Sequence, residues 1–356
     1  MSLTTDFNVS PYYDDFTETD DYYRVLFRPG FGVQARELTQ LQTLLQYQLQ
    51  RIGLHSFENG SKVFGGDITL DTNIKSIKLE TQFSGSSVNV SAFENKLVIG
   101  SDSKAQGQVI KAEAATATDQ PTLMIELLTA NSFADGETVT TIESGASSAN
   151  TISTGGVSGL ANAQSNGSIV SISNGAFFVD GFFVRNGSET IILDKYSSTP
   201  TKKIGLSITE TLIDSSSDTD LLDNAQGTTN YAAPGANRLK IALTLTAKNL
   251  TATSELDKSA DQDFIELLRV ENGQKTKEVK YPLYGEIEKT LARRTFDESG
   301  DYTVRPFGLQ LVENISGNTD AISAGLEPGK AYVKGYEFET IGTTFLDIDK
   351  ARTTAN

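Results

Sequence analysis

Gly175-Ala176-Phe177-Phe178-Val179-Asp180-Gly181-Phe182-Phe183-Val184 decides the fold class. Two short runs of aromatic and β-branched residues meet at a glycine, which admits either a tight hairpin or a bulged bend. The pattern returns as Gly329-Lys330-Ala331-Tyr332-Val333-Lys334-Gly335-Tyr336-Glu337-Phe338, and with one inserted residue Leu193-Asp194-Lys195 falls on Ile348-Asp349-Lys350. A fainter third copy is Gly60-Ser61-Lys62-Val63-Phe64-Gly65-Gly66-Asp67. So few copies are short of a solenoid, so the echo predicts a β-domain that repeats one hairpin.

Outward from that hairpin most of the chain is short strands and turns. Residues 82–159 predict a small β module, with strands at 88–90, 97–99, 109–111, 123–127 and 138–142 between Gly, Ser and Asp clusters. The small polar stretch 144–168 reads as a linker or long surface loop. Leu239 to Leu245 alternates as a half-buried strand, and 264–279 reads as a hairpin turning at Asn272-Gly273. Two segments are helical. From Gln34 to Ile52 the residues Leu38, Leu41, Leu45, Leu49 and Ile52 recur three or four apart, with Gly53 placed to cap the end. A shorter helix spans 283–296 on the spacing of Leu283, Ile287 and Leu291. The expected fold is mainly β, with an N-terminal α-helix, one further short helix and several β-sandwich or barrel-like modules. The expected divisions are 1–80 (arm, helix and first strands), 81–160 (an inserted small β module) and 161–356 (the main β domain).

Composition removes several function classes. The net charge of −16 and the lack of any Lys/Arg run disfavour nucleic acid as a partner. Without cysteine there are no disulfides, thiolate metal sites or Cys nucleophiles. The single histidine, His55, follows the predicted helix, and no Gly-x-Ser-x-Gly elbow accompanies it. Gly325 to Lys330 misses the phosphate-loop spacing by one residue. The acidic groups at 14–21 and at Asp218, Asp220 and Asp223 lack the calcium-loop register and read as solvated or turn-capping carboxylates. No cofactor, metal or catalytic residue is expected. No signal segment opens the sequence and no apolar run approaches ~20 residues, so membrane insertion is not expected.

Attention therefore falls on interfaces. An acidic, aromatic arm carries Tyr12, Tyr13, Phe16, Tyr22 and Tyr23, and it leads through Pro29-Gly30 into the first helix. The helix's second face holds Gln40, Gln42, Gln46 and Gln50 in place of the usual Glu/Lys pairs, which suits a face that also meets protein, such as a three-fold axis. The expected arrangement has the leucine stripe packed on the chain's own β-domain and the glutamines facing symmetry mates.

The arm and helix start resemble the N-terminal block of a family of tailed-phage virion proteins, especially those of T4-like cyanophages. Three further stretches share that resemblance: 223–239, 291–307 and 328–336. It covers most of 1–80 and 160–352, while the 82–159 module matches least. The resemblance implies a structural virion protein, either the virion-proximal part of a tail fibre or a baseplate component to which fibres attach. Such a protein would assemble in the host cytoplasm into the phage tail as a homotrimer among other tail and baseplate proteins, with host-surface contact left to a distal part. The alternatives are a tailspike enzyme that degrades polysaccharide and a glycan-binding adhesin. No aromatic platform rich in Trp accompanies the carboxylates, which weakens the enzyme.

Overall fold

The chain enters helix α1 (Ala35–Ser56) and then lays down strands β1 (Lys62–Gly65) and β2 (Ile68–Lys78). An inserted group follows: β3 (Gln82–Phe83), β4 (Ser86–Ser87), β5 (Leu97–Gly100), β6 (Gln106–Glu113), β7 (Thr122–Leu127), β8 (Thr138–Thr141) and β9 (Ser148–Asn150). Next come β10 (Gln164–Ile172), β11 (Gly175–Val179), β12 (Phe182–Asn186) and β13 (Glu189–Asp194). The long antiparallel strands β14 (Lys202–Ile213), β15 (Arg238–Asn249), β16 (Phe264–Glu271) and β17 (Gln274–Glu278) separate these from helix α2 (Glu286–Ser299). The last strands are β18 (Tyr302–Arg305), β19 (Leu309–Glu313), β20 (Ala321–Leu326), β21 (Lys330–Val333), β22 (Tyr336–Glu339) and β23 (Thr344–Asp349). This computed structural model describes residues 5–117, 119–142, 146–152, 162–250, 263–313 and 320–350. Among the described residues the fold is mainly β, and the two α-helices lie where the sequence places them, with shifted ends.

The 175–184 echo is a tight hairpin in both copies. Asp180 (φ 45°) and Gly181 (φ 88°) turn β11 into β12, and Lys334 (φ 51°) and Gly335 (φ 81°) turn β21 into β22. Positive φ at both central residues is the two-residue turn whose twist matches that of paired strands. The registers agree as well, Val179 facing Phe182 and Val333 facing Tyr336. The third copy is different: Gly65 (φ 58°) and Gly66 (φ 63°) carry the chain from β1 in one sheet to β2 in another. A side chain at Gly65 would run into the Asn174 carbonyl, so the bend depends on glycine.

Pairing extends the echo far beyond a hairpin. One sheet contains the run β1-β11-β12 and a second sheet the run β13-β10-β2. In the C-terminal part the runs are β18-β21-β22 and β19-β20-β23, each strand in the corresponding place. A helix precedes each set, so the chain holds two copies of one unit: a helix and six strands divided between two sheets. Unit 1 is α1, β1, β2 and β10–β13; unit 2 is α2 and β18–β23. The inserted strands β3–β9 occupy the β2–β10 connection of unit 1.

This topology corrects the expected divisions. Strands of 1–80 pair with strands beyond 160 (β1 with β11, β2 with β10), so no domain boundary falls near 80. The insert has its own core around Ile77, Phe93, Val98, Val109 and Ile125, yet β7 pairs with β2 and continues the unit 1 sheet. At the expected strand 88–90, Val88 and Asn89 lie in no regular element and Val90 opens a short 3₁₀ turn, Val90–Phe93. Within the predicted 144–168 linker, Ser148–Asn150 and the start of β10 are strands, and residues 153–161 lie outside the described ones.

A larger core joins unit 1 to β14–β16. Val170, Ile172, Phe177, Val179 and Val184 pack against Ile204, Leu206, Leu243, Leu245 and Ile265. β15 pairs with β12 and so extends the unit 1 hairpin sheet. Among the described residues unit 2 has no counterpart of that cover.

Candidate assembly surface

Helix α1 sits on the unit 1 hairpin through an unexpected face. Gly53, read as an end cap, lies within the helix and is buried against Phe178. The helix continues past it to Ser56 because the missing side chain is filled by that ring. Gln46 donates from Nε2 to the Gly181 carbonyl at 2.7 Å, and Gly181 lies against Gln50. Leu44 is the buried leucine of the helix. Gln40 donates to Asp15 of the arm, whereas Gln42 is exposed. Glutamines Gln46 and Gln50 are therefore intrachain contacts, a correction to the expected outward Gln face. A carbonyl at a hairpin tip needs a donor, and an amide supplies one where leucine cannot.

The stripe read as core is the free one. Leu38, Leu45, Leu49 and Ile52 are exposed, Leu45 by 67% and Ile52 by 68%, and their spacing places them on one face. Leu41 is half-buried. The sequence periodicity located an apolar face correctly without saying whether this subunit would cover it.

The acidic arm lies along the same helix. The buried carboxylate of Asp14 accepts from the Thr43 hydroxyl, Asp15 pairs with Arg36 at 3.0 Å, and Phe16 packs on Tyr47 with ring centroids 5.4 Å apart. Glu18 meets Tyr47 and Arg51, and the Tyr47 hydrogen bond first, then the Arg51 cation, hold its carboxyl below the usual range. The Tyr12 hydroxyl accepts from Asn237 Nδ2 at 2.6 Å. Tyr12 and Phe16 are thus committed within the subunit, against the expectation that they anchor a partner. Tyr13, Tyr22 and Tyr23 are exposed, and so are Leu26, Phe27, Phe31 and Val33, which sequence reading did not single out. Their signal was available: apolar residues on both sides of Pro29-Gly30 with no regular period.

Unit 2 repeats the helix-on-hairpin contact. Gly335 lies directly against the Ala292 carbonyl of α2, as Gly181 lies against α1. Just beyond each helix a polar side chain holds the hairpin tip. Asn59 Oδ1 accepts from the Asp180 N–H at 3.0 Å, and Asp301 Oδ1 accepts from the Lys334 N–H at 2.6 Å. The units join where α1 ends and α2 begins, through the hydrogen bonds from Glu58 N–H to Leu283 O and from Gly285 N–H to Ser56 O. Gly285 has no room for a side chain beside the Leu54 carbonyl, which explains why α2 starts at Glu286 and not at Leu283.

The two units differ in what covers them. Val179, Val184 and Leu193 of unit 1 are 0%, 8% and 6% exposed. Their counterparts Val333, Phe338 and Ile348 are 50%, 51% and 47% exposed. Full burial of one such side chain is worth ~1.5–3 kcal/mol, so about half of that per residue is unrealised in the free subunit.

Several polar groups elsewhere among the described residues make contacts within the fold. Glu137, buried in the insert, accepts from the N–H groups of Asp102, Ser103 and Ala134 and from the Ser103 hydroxyl. Burial opposes its charge, but these donors outweigh it and lower the carboxyl's pKa. Asp119 ties the insert to the end of β13, accepting from Lys195 at 2.9 Å and from the Tyr196 hydroxyl at 2.8 Å. Burial, chiefly, pushes the Tyr196 hydroxyl far up and lowers Lys78, whose ammonium lies 4.8 Å from the Tyr196 ring. Asp218 and Asp223 cap local turns through the Asp220 and Ala225 N–H groups. Among the described residues no group of three or more His, Cys, Asp or Glu is placed to hold a metal ion. No helix among them is long and apolar enough to cross a membrane.

Comparison with curated proteins and with solved structures returns no match. A family match spans residues 10–124 and 118–356, which takes in the arm, both units and the strands between them. The chain belongs to the family described as a domain of unknown function (DUF4815).

Proposed function

We propose that this chain is a structural component of a tailed-phage virion, the virion-proximal part of a tail fibre or a baseplate protein to which fibres attach. It acts through protein–protein interfaces, assembles in the host cytoplasm as a homotrimer, and its partners are other tail and baseplate proteins. The observation that carries the reading is the outward apolar stripe of α1 at Leu38, Leu45, Leu49 and Ile52. Soluble monomers seldom expose a continuous apolar face of that kind, and a helix that keeps one is built to be covered. The resemblance of residues 1–80 and 160–352 to phage virion proteins supplies the setting. A chain of net charge −16 stays soluble before assembly and is biased toward basic protein surfaces afterwards.

Light scattering on the purified chain tests the self-association, with a trimer mass expected at micromolar concentration and a monomer counting against it. Imaging of particles lacking the protein tests the setting. Baseplates that remain intact and fully fibred without it would refute the virion role.

A further inference from the structure

We propose that the outward apolar face of β19, β20 and β23 in unit 2 is covered by the α1 stripe of a second copy of this chain. This deepens the assembly reading and rests on it. The duplication shows a face built to be covered. Ile172 and Leu326 each stand three residues before the first glycine of the hairpin echo, which aligns β10 with β20. In unit 1, Ile68 pairs with Ile172, Leu70 with Val170, and Val170 with Ile191, and these side chains pack in or against the core beneath β14–β16. In unit 2, Leu309 pairs with Leu326, Leu311 with Ala324, and Ala324 with Leu346, in the same places. Here Leu309, Leu311, Leu326, Leu346 and Ile348 are exposed, Leu309 by 70%. One side of a core is kept without its cover.

The stripe fits this face in size and in charge. From Leu38 to Ile52 it rises ~21 Å, and strands of five or six residues run ~17–20 Å. Three strands ~4.8 Å apart lie within the ~10 Å width of one helix. Residues 38–50 carry no charge, and neither do the face positions Leu309, Leu311, Leu326, Leu346 and Ile348. Contact between the two therefore buries no charge without a partner.

Two bare surfaces on one chain make a second copy the occupant. Both are exposed in the same subunit, so they do not cover each other within it. At roughly 100 Å² for each exposed side chain, four on the stripe and five on the face come to on the order of 900 Å² per contact, near the ~1,000 Å² where stable interfaces begin. Stripe against stripe buries about half of that. The contact joins unlike surfaces, so it is head-to-tail, and a rotation that closes it after three copies leaves neither surface bare.

Cysteine is absent from the chain, so introduced thiols read the contact without background. Gln42→Cys puts a thiol beside the stripe, and Thr344→Cys and Glu313→Cys put one at either end of the face, all at exposed positions. These substitutions leave the apolar side chains in place. Gln42→Cys chains and chains of either face variant, carrying tags of different size, are co-expressed and treated with a short bis-maleimide. The expected product joins one chain of each kind for at least one face variant, while Gln42→Cys alone gives no cross-linked dimer. Scattering is read on the same sample. An oligomer in which Gln42→Cys links only to itself, or in which neither face variant gives a mixed product, overturns this contact and leaves the assembly reading standing. A monomer overturns both.

Discussion

Gly53→Ala puts the seating of α1 to a quantitative test. Two effects oppose each other. Alanine inside a helix is favoured over glycine by ~1 kcal/mol, through reduced backbone entropy in the unfolded chain and better helix propensity. Against that, the new methyl would meet Phe178 Cε2 at 2.5 Å, about 1 Å inside ordinary contact. The ring cannot swing clear easily, because Phe57 and Phe183 hold it at centroid distances of 5.8 Å and 5.5 Å. Overpacking of a filled site costs ~1–3 kcal/mol. The packing effect should win, leaving the variant less stable by about 1 kcal/mol and the helix lifted slightly from its hairpin. Urea unfolding followed by far-UV circular dichroism measures the shift in midpoint at unchanged slope. Pairing with Phe178→Leu sharpens the test, since a smaller side chain admits the methyl and Gly53→Ala should then be neutral or stabilising. A Gly53→Ala variant more stable by ~1 kcal/mol in the wild-type background would show propensity acting alone, and would refute the claim that Phe178 seats the helix.

Other outcomes follow from the same structure. Leu45→Lys with Ile52→Lys should change stability by no more than ~0.5 kcal/mol, since both positions are exposed, yet abolish association read by light scattering. Phe16→Ala should loosen the arm, seen as faster amide exchange over residues 12–18, whereas Tyr22→Ala with Tyr23→Ala should leave exchange unchanged and weaken assembly. Glu137 has a lowered pKa in the fold, so its contribution is present above the unfolded value of 4.5 and is lost as pH falls through the folded one. Glu137→Gln should therefore destabilise the insert by ~2 kcal/mol at neutral pH and flatten the fall in melting temperature below about pH 4.5. A variant melting curve that keeps the wild-type acid dependence would place that dependence on other carboxylates.

Local chemistry was legible in the sequence, while long-range pairing was only partly so. The turn at Asn272-Gly273 follows from residue type, because few other pairs accept positive φ twice in succession, whereas the echo left a hairpin or a bulged bend open at Asp180-Gly181 and Lys334-Gly335. The hairpin echo pointed to repetition, but the outer strands share little sequence: by their pairing to the hairpin, Lys62 and Phe64 of β1 correspond to Thr303 and Arg305 of β18. The insert hid the match further by placing residues 79–163 between two strands that are neighbours in space. For α1 the spacing located the apolar stripe, but its orientation was decided by what lay opposite. A hairpin tip with a free carbonyl accepted Gln46 and a buried ring accepted Gly53, and neither partner is visible from the helix's own residues. Among the arm residues, Tyr12 and Tyr13 look alike in sequence and differ in the fold because Asn237 and Phe7 lie beside Tyr12.

The wide separation in sequence between α1 and its seat has a consequence for synthesis. The helix is complete at Ser56, but the hairpin that covers its inner face ends at Asn186. Translation at ~5–20 residues per second leaves the helix without that hairpin for on the order of ten seconds. During that interval Leu44 and the outer leucines are uncovered together, in a nascent chain held beside others on the same message. The acidic arm is made first and reaches Thr43, Tyr47 and Arg51 without waiting for any strand. It can therefore shield part of the helix co-translationally, an intramolecular chaperone whose removal should lower the yield of soluble chain more than the stability of the finished fold.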